Sequence, residues 1–114
     1  MQIHERTENG ILILGVEGRL DHNGAEIFRK TAFRHIEEGR RSILVDFGGT
    51  TFLASMGIRA LILPSQEASQ HGGKLAVTGL SGELEKLFTI AGLHKLFTVY
   101  PTVADATASD DWKA

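Results

Sequence analysis

From residue 20 onward the chain alternates short apolar runs with segments whose apolar residues recur every three or four positions. That alternation predicts strands joined by helices, and hence an α/β fold with a mostly parallel or mixed sheet covered by helices. Two strands precede it, over residues 2–7 and 10–16, joined around Asn9–Gly10. Asn-Gly is a strong signal for a tight hairpin turn. The run ILILGV is apolar on both strand faces, which places this strand inside the sheet. The order reads ββαβαβαβα. No internal repeat, low-complexity segment or linker interrupts it, so residues 1–114 read as one domain.

The first helix follows Asp21, with Asp21 or Asn23 as its cap. Its apolar residues Ala25, Phe28, Ala32 and Ile36 form one stripe, and Gly39 stops it. A central strand over residues 43–45 closes at Asp46, after which Gly48, Gly49, Thr50 and Thr51 break the strand pattern. The apolar patch Phe52, Leu53 and Ala54 leads to Ser55, then Met56, Gly57 and a helical run over residues 58–63. Ser55 is expected at or next to the N-terminus of that helix, where its oxygen suits a cap. Pro64 falls inside the helical pattern, so a kink or an early end is expected there. A strand over residues 74–78 follows, then a helix capped by Ser81 with Leu84, Leu87, Phe88 and Ala91 on one face. A last strand over 96–100 leads to a small helix starting at Pro101. The tail, residues 109–114, is expected to fray.

Composition removes several classes of chemistry. There are no cysteines, hence no disulfide, thiolate metal site or cysteine nucleophile. Twelve basic against fourteen acidic residues give a net charge of -2, which does not suit nucleic acid. No apolar run approaches the roughly 20 residues of a membrane helix. The charged start has no apolar core of a secretory signal, and a cytoplasmic protein is expected. The five histidines show no metal-ligand spacing, and solvated or capping roles are expected for them. Gly48–Gly49 lacks the Gly-Lys-Ser/Thr of a phosphate loop. No exposed apolar stripe is evident, which favours a monomer. No cofactor and no metal are expected.

Ser55 carries the candidate chemistry. A serine at a helix start faces backbone N–H groups without partners and the positive end of the helix dipole, a setting that suits a phosphate. Phe52, Met56 and Ile58 would surround it with apolar surface for a protein partner, and Gly57 permits close backbone approach. Asp21 and Asp46, at strand ends, read as capping or turn residues, or as groups that could accept hydrogen bonds from Ser55 if the fold brings them beside it. A serine hydrolase would need the G-x-S-x-G elbow, and the first glycine is missing from Leu53–Ala54–Ser55–Met56–Gly57.

Taken together these segments resemble the STAS domains, and among them the anti-sigma factor antagonists. Gly18–Arg19–Leu20–Asp21 is similar to the family's G-x-L/I-D. Residues 43–46 resemble its central strand, residues 52–57 its F-x-D-S-S-G signature, and residues 87–93 its L-F-x-x-x-G-L segment. The resemblance implies a STAS fold and a partner switch in transcription regulation, without enzymatic activity of its own. It implies phosphorylation of Ser55 by an anti-sigma factor that is a GHKL-type serine kinase, and resetting by a PP2C-type phosphatase. Partner contacts would come from Asp21, Phe52, Ala54, Ser55, Met56, Gly57, Ile58 and Arg59. The family's aspartate before the serine is Ala54 here, and its second serine is Met56. Two alternatives stay open: an unphosphorylated STAS module in a transporter or signalling scaffold, and a nucleotide-binding STAS domain using Asp21, Ser55 and Gly57 around a phosphate.

Overall fold

The computed structural model describes residues 1–112. Its elements run β1 Gln2–Glu8, β2 Ile11–Leu20, α1 His22–Glu37, β3 Ser42–Leu53, α2 Ser55–Gln70, β4 Lys74–Thr78, α3 Gly82–Ile90, β5 Val99–Tyr100 and α4 Val103–Thr107. Short 3-10 turns occupy Leu93–Lys95 and Asp110–Trp112. The hairpin turns at Asn9 and Gly10, both with positive φ (52° and 78°), as a tight two-residue turn between twisted strands requires.

The sheet order is β1-β2-β3-β4-β5, with β1 antiparallel to β2 and every later pairing parallel. Parallel crossovers are right-handed, so a sheet that grows steadily in one direction keeps its crossover helices on one face. Residues of α1, α2 and α3 accordingly join Leu12, Leu14, Val16, Ile43, Val45, Phe47, Leu75 and Val77 in the larger core. The intervening strand residues, Ile11, Ile13, Leu44 and Ala76, face the other way and meet Tyr100, Ala106, Val103 and Trp112. Both sheet faces are thus buried, which is why ILIL and ILV read as continuous apolar runs. Among the described strands the order never reverses, so the sheet has no topological switch point.

Several sequence expectations are met. Asp21 caps α1 by accepting a hydrogen bond from the Gly24 amide, and Ala25, Phe28, Ala32 and Ile36 are all buried. Gly39 has φ 94° just past the helix.

Others are corrected. β3 does not stop at Asp46. It continues to Leu53, with two register shifts against β2, where one extra β3 residue is accommodated each time. Such bulges absorb the Gly-Gly-Thr-Thr run without ending the strand. The early end expected at Pro64 does not occur: α2 reaches Gln70 as one helix, with the proline ring buried. Core packing along α2 outweighs the hydrogen bond that proline removes. The last strand shrinks to Val99–Tyr100, and Thr102, not Pro101, opens α4 by accepting from the Asp105 amide. Ser81 stands at the cap position of α3, but its side chain makes no capping bond.

Two further corrections concern burial. His35 is not solvated: it is 5% exposed and shares Glu5 of β1 with Arg34. Its neighbours on the helix stripe carry it into the seam between α1 and β1. The tail residues through Trp112 do not fray. Trp112 stacks on Tyr100, and its indole N–H donates to the Ala106 carbonyl at 2.8 Å. The Tyr100 hydroxyl donates to Asp111, and Lys74 sits over both rings. The remainder of the tail, residues 113–114, lies outside the described residues.

Candidate functional site

The register places Leu20 opposite Leu53, so β2 and β3 end at the same level of the sheet. The Ala54 amide donates to the Leu20 carbonyl at 3.3 Å, tying the two exits together. α1 and α2 therefore begin side by side, Asp21 at the head of one and Ser55 at the head of the other. The Gly24 amide hydrogen bond, with Arg19 nearby, holds the Asp21 carboxyl below its ordinary value.

Ser55 is not the cap of α2. Ala54 occupies the cap position with no side-chain hydrogen bond, and Ser55 is the first helical residue, exposed to solvent. At that position a hydroxyl lies beside unpartnered helix N–H groups without being consumed by one. The two neighbouring threonines differ from it: Thr50 is buried and donates to the Val16 carbonyl at 2.7 Å, whereas Thr51 is exposed on the strand.

Gly57 is buried, because a Cβ there would lie 2.7 Å from the Leu20 carbonyl oxygen and 2.7 Å from Leu53 Cδ1. The close approach it permits is to its own sheet end. The proposed phosphate cradle of Asp21, Ser55 and Gly57 is thus filled on its glycine side by Leu20 and Leu53. Ile58 is half-buried against the core. Asp46 does not flank Ser55. Its level on the sheet is that of Gly15, five residues or about 17 Å below Leu20 at the rise of a strand. There its carboxylate accepts from the Gly48 amide at 2.9 Å and braces the first bulge.

The surface around Ser55 is apolar, with basic residues at its margins. Phe52 and Met56 are exposed, as is Leu63 two turns along α2. The absence of an exposed apolar stripe, expected from the sequence, is therefore corrected: core packing of Leu53, Gly57 and Ala60 turns these three outward. The Arg19 guanidinium stacks 4.1 Å over the Phe52 ring and lies 4.0 Å from Asp21. Between α1 and α2 runs a groove of about 400 Å³ lined by His22, Ala25, Glu26, Arg29, Met56, Arg59, Ala60 and Leu63. Glu26 is paired to Arg29 and lies 3.9 Å from Lys30. That pairing lowers the Glu26 carboxyl and raises the Arg29 guanidinium from their ordinary values.

Of the sequence-predicted contact residues, the fold gathers Asp21, Phe52, Ala54, Ser55, Met56 and Arg59 at or near this surface. It adds Arg19, His22, Glu26, Arg29 and Leu63. These α1 residues belong to an amphipathic helix, but only the packing of α1 against α2 shows them to form one wall of a groove. The geometry offers an addressable hydroxyl, an apolar groove and a cation on its rim. No cluster of ligands for a metal ion is present among the described residues. No described helix is long and apolar enough to cross a membrane.

Comparison with known proteins agrees with this architecture. The family model described as STAS domain matches residues 2–106. An anti-sigma F factor antagonist of Paenibacillus polymyxa is 24% identical over 107 residues, 93% of this chain and 92% of that protein. The crystal structure of an anti-sigma factor antagonist from Mycobacterium paratuberculosis superposes with a TM-score of 0.83 at 21% identity, covering 92% of this chain and 89% of the other. The Bacillus cell fate determinant SpoIIAA in its phosphorylated form superposes with a TM-score of 0.72 at 20% identity, covering 92% and 96%.

Proposed function

The chain belongs to the STAS domain family, and from that premise we propose that it is an anti-sigma factor antagonist acting by partner switching. The observation that carries the reading is the Ser55 hydroxyl, exposed at the first position of α2 and not used as a cap. Similarity to the Paenibacillus antagonist supports the class of partner.

In the unmodified state the protein binds an anti-sigma factor of the GHKL-type serine kinase class and frees the client of that factor. The contact surface comprises Asp21, Phe52, Ala54, Ser55, Met56, Ile58 and Arg59, with Gly57 setting the position of the helix start. The kinase transfers the γ-phosphoryl group of ATP to Ser55 Oγ, releasing ADP and the hydroxyl proton. The modification adds about -1.5 to -2 charge in the middle of an apolar contact surface, and binding weakens. Hydrolysis by a PP2C-type phosphatase restores the hydroxyl. In this scheme the protein is cytoplasmic, is not itself an enzyme, and works as a monomer without a cofactor or metal.

The test is capture from source cells with wild type, Ser55→Ala and Ser55→Asp, followed by identification of the captured protein and mass spectrometry of Ser55. A GHKL-type kinase retained by wild type and Ala but not by Asp is the expected result. Ala54, standing where the family has aspartate, favours one second reading, a constitutive interaction module. Equal capture of one partner by all three forms would establish that reading and defeat the switch.

A further inference from the structure

Arg59 is the residue shared by Ser55 and the groove. It follows Ser55 by four positions, which puts their Cβ atoms about 5–6 Å apart on one helix face. It also lines the groove with Met56, Ala60 and Leu63. The other cations around the site are engaged: Arg19 lies over Phe52 and beside Asp21, and Arg29 and Lys30 lie against Glu26. Among the described residues Arg59 has no ion-pair, hydrogen-bond or aromatic partner. Asp21, the acidic group at the neighbouring helix head, is held by the Gly24 amide. Ala54 contributes no carboxylate, so the anionic group at this end is Asp21, which the Gly24 amide and Arg19 engage.

We propose that Arg59 is the moving part of the switch. In the unmodified protein it offers its charge across the groove to a carboxylate on an apolar segment of the partner. Once Ser55 carries a phosphoryl group, the phosphate draws the guanidinium one turn toward the start of α2 and withdraws it from the groove. The inference rests on the phospho-switch reading and specifies its mechanism. Phosphorylation then removes an attraction as well as adding a repulsion. The groove suits such a segment, because Ala25, Met56, Ala60 and Leu63 supply apolar surface while Glu26 is neutralised by its own helix. His22, on the α1 wall, and Asp21 are the remaining titratable groups near the pair.

The experiment uses the full chain with phosphoserine incorporated at position 55 during synthesis, so it needs no kinase. Phosphorus NMR follows the second ionisation of the phosphate in the Arg59, Arg59→Gln, Arg59→Lys and Arg29→Gln backgrounds. With Arg59 present, that ionisation is expected about 0.3 pH unit lower than in Arg59→Gln, the size of a surface pair one helical turn apart. Lysine restores part of the shift, and Arg29→Gln leaves it in place. In nitrogen-proton spectra the Arg59 Nε–H signal moves on phosphorylation. Identical titration with and without Arg59, or an unmoved Nε–H signal, overturns the pairing. For the partner half, the protein captured by unmodified wild type is titrated against Arg59→Glu. A tenfold or greater loss of affinity is expected, and equal affinity overturns it. If phosphate titration shifts but Ser55→Asp still captures the partner, the switch reading fails while the pairing stands. If Ser55→Asp abolishes capture without any titration shift, the pairing alone fails.

Discussion

Gly57→Ala tests how tightly the start of α2 is seated on the sheet. The added Cβ would lie 2.7 Å from the Leu20 carbonyl oxygen, 2.7 Å from Leu53 Cδ1 and 3.0 Å from Leu20 Cγ. Ordinary contact begins near 3.4 Å, so the helix or the strand end must give by about 0.7 Å. Neither yields freely, since the Leu20 carbonyl also accepts the Ala54 amide and the Leu53 side chain is part of the core. Overpacking of this kind costs about 1–3 kcal/mol. Alanine recovers up to about 1 kcal/mol over glycine by helix propensity, and less in a first turn. The net expectation is a loss of about 1–2 kcal/mol, read as a fall of about 4–8 °C in Tm and a lower urea midpoint at unchanged slope. Because Ser55 and Met56 ride on the same turn, affinity for the captured partner should fall in parallel. A variant as stable as wild type, or more so, would show that the helix start is loosely seated and that glycine there serves no packing role.

Phe28→Ala, at a fully buried position of α1, should cost about 3–5 kcal/mol in denaturant unfolding. Thr50→Val keeps the shape but loses the hydroxyl bond to the Val16 carbonyl at 2.7 Å, so a loss of about 1 kcal/mol is expected, and Ser55 phosphorylation should be unaffected. The clasp around Trp112 should respond to acid. The Tyr100 hydroxyl, then the Ser109 hydroxyl and Lys74, hold the Asp111 carboxyl below its ordinary 3.8. A carboxyl with a depressed folded value contributes its full stabilisation above 3.8 and loses it as pH falls through that lower value. Emission from Trp112, the single tryptophan, should shift to the red over that acid range in wild type. In Asp111→Asn it should be shifted already at neutral pH and lack the acid step. Identical profiles for the two proteins would remove the carboxylate from the clasp.

Local chemistry made much of this protein legible in its sequence. Asn9–Gly10 allows one kind of turn, and the result is a hairpin. The spacing of Ala25, Phe28, Ala32 and Ile36 gives the buried face of α1 and narrows its cap to Asp21 or Asn23, and the structure selects Asp21. The alternation of apolar runs with helical-period segments fixed an α/β sheet, and the segment around Ser55 pointed to the family and to the hydroxyl at its centre.

What remained depended on partners far away in sequence. Residues 48–51 look like a loop because the Gly48–Gly49 pair interrupts the apolar run and glycine is a poor strand former, but β2 supplies the pairing that keeps them extended. Pro64 reads as a helix breaker, but the buried face of α2 binds enough core to carry the helix through it. Trp112 reads as part of a loose tail, but Tyr100, Lys74 and the Ala106 carbonyl are waiting for it on the second sheet face. Arg59 is one charged residue among many until α1 packs beside α2 and the neighbouring cations find partners. A sequence can state which side chains are available to interact locally. Only the tertiary structure decides which of them are already taken.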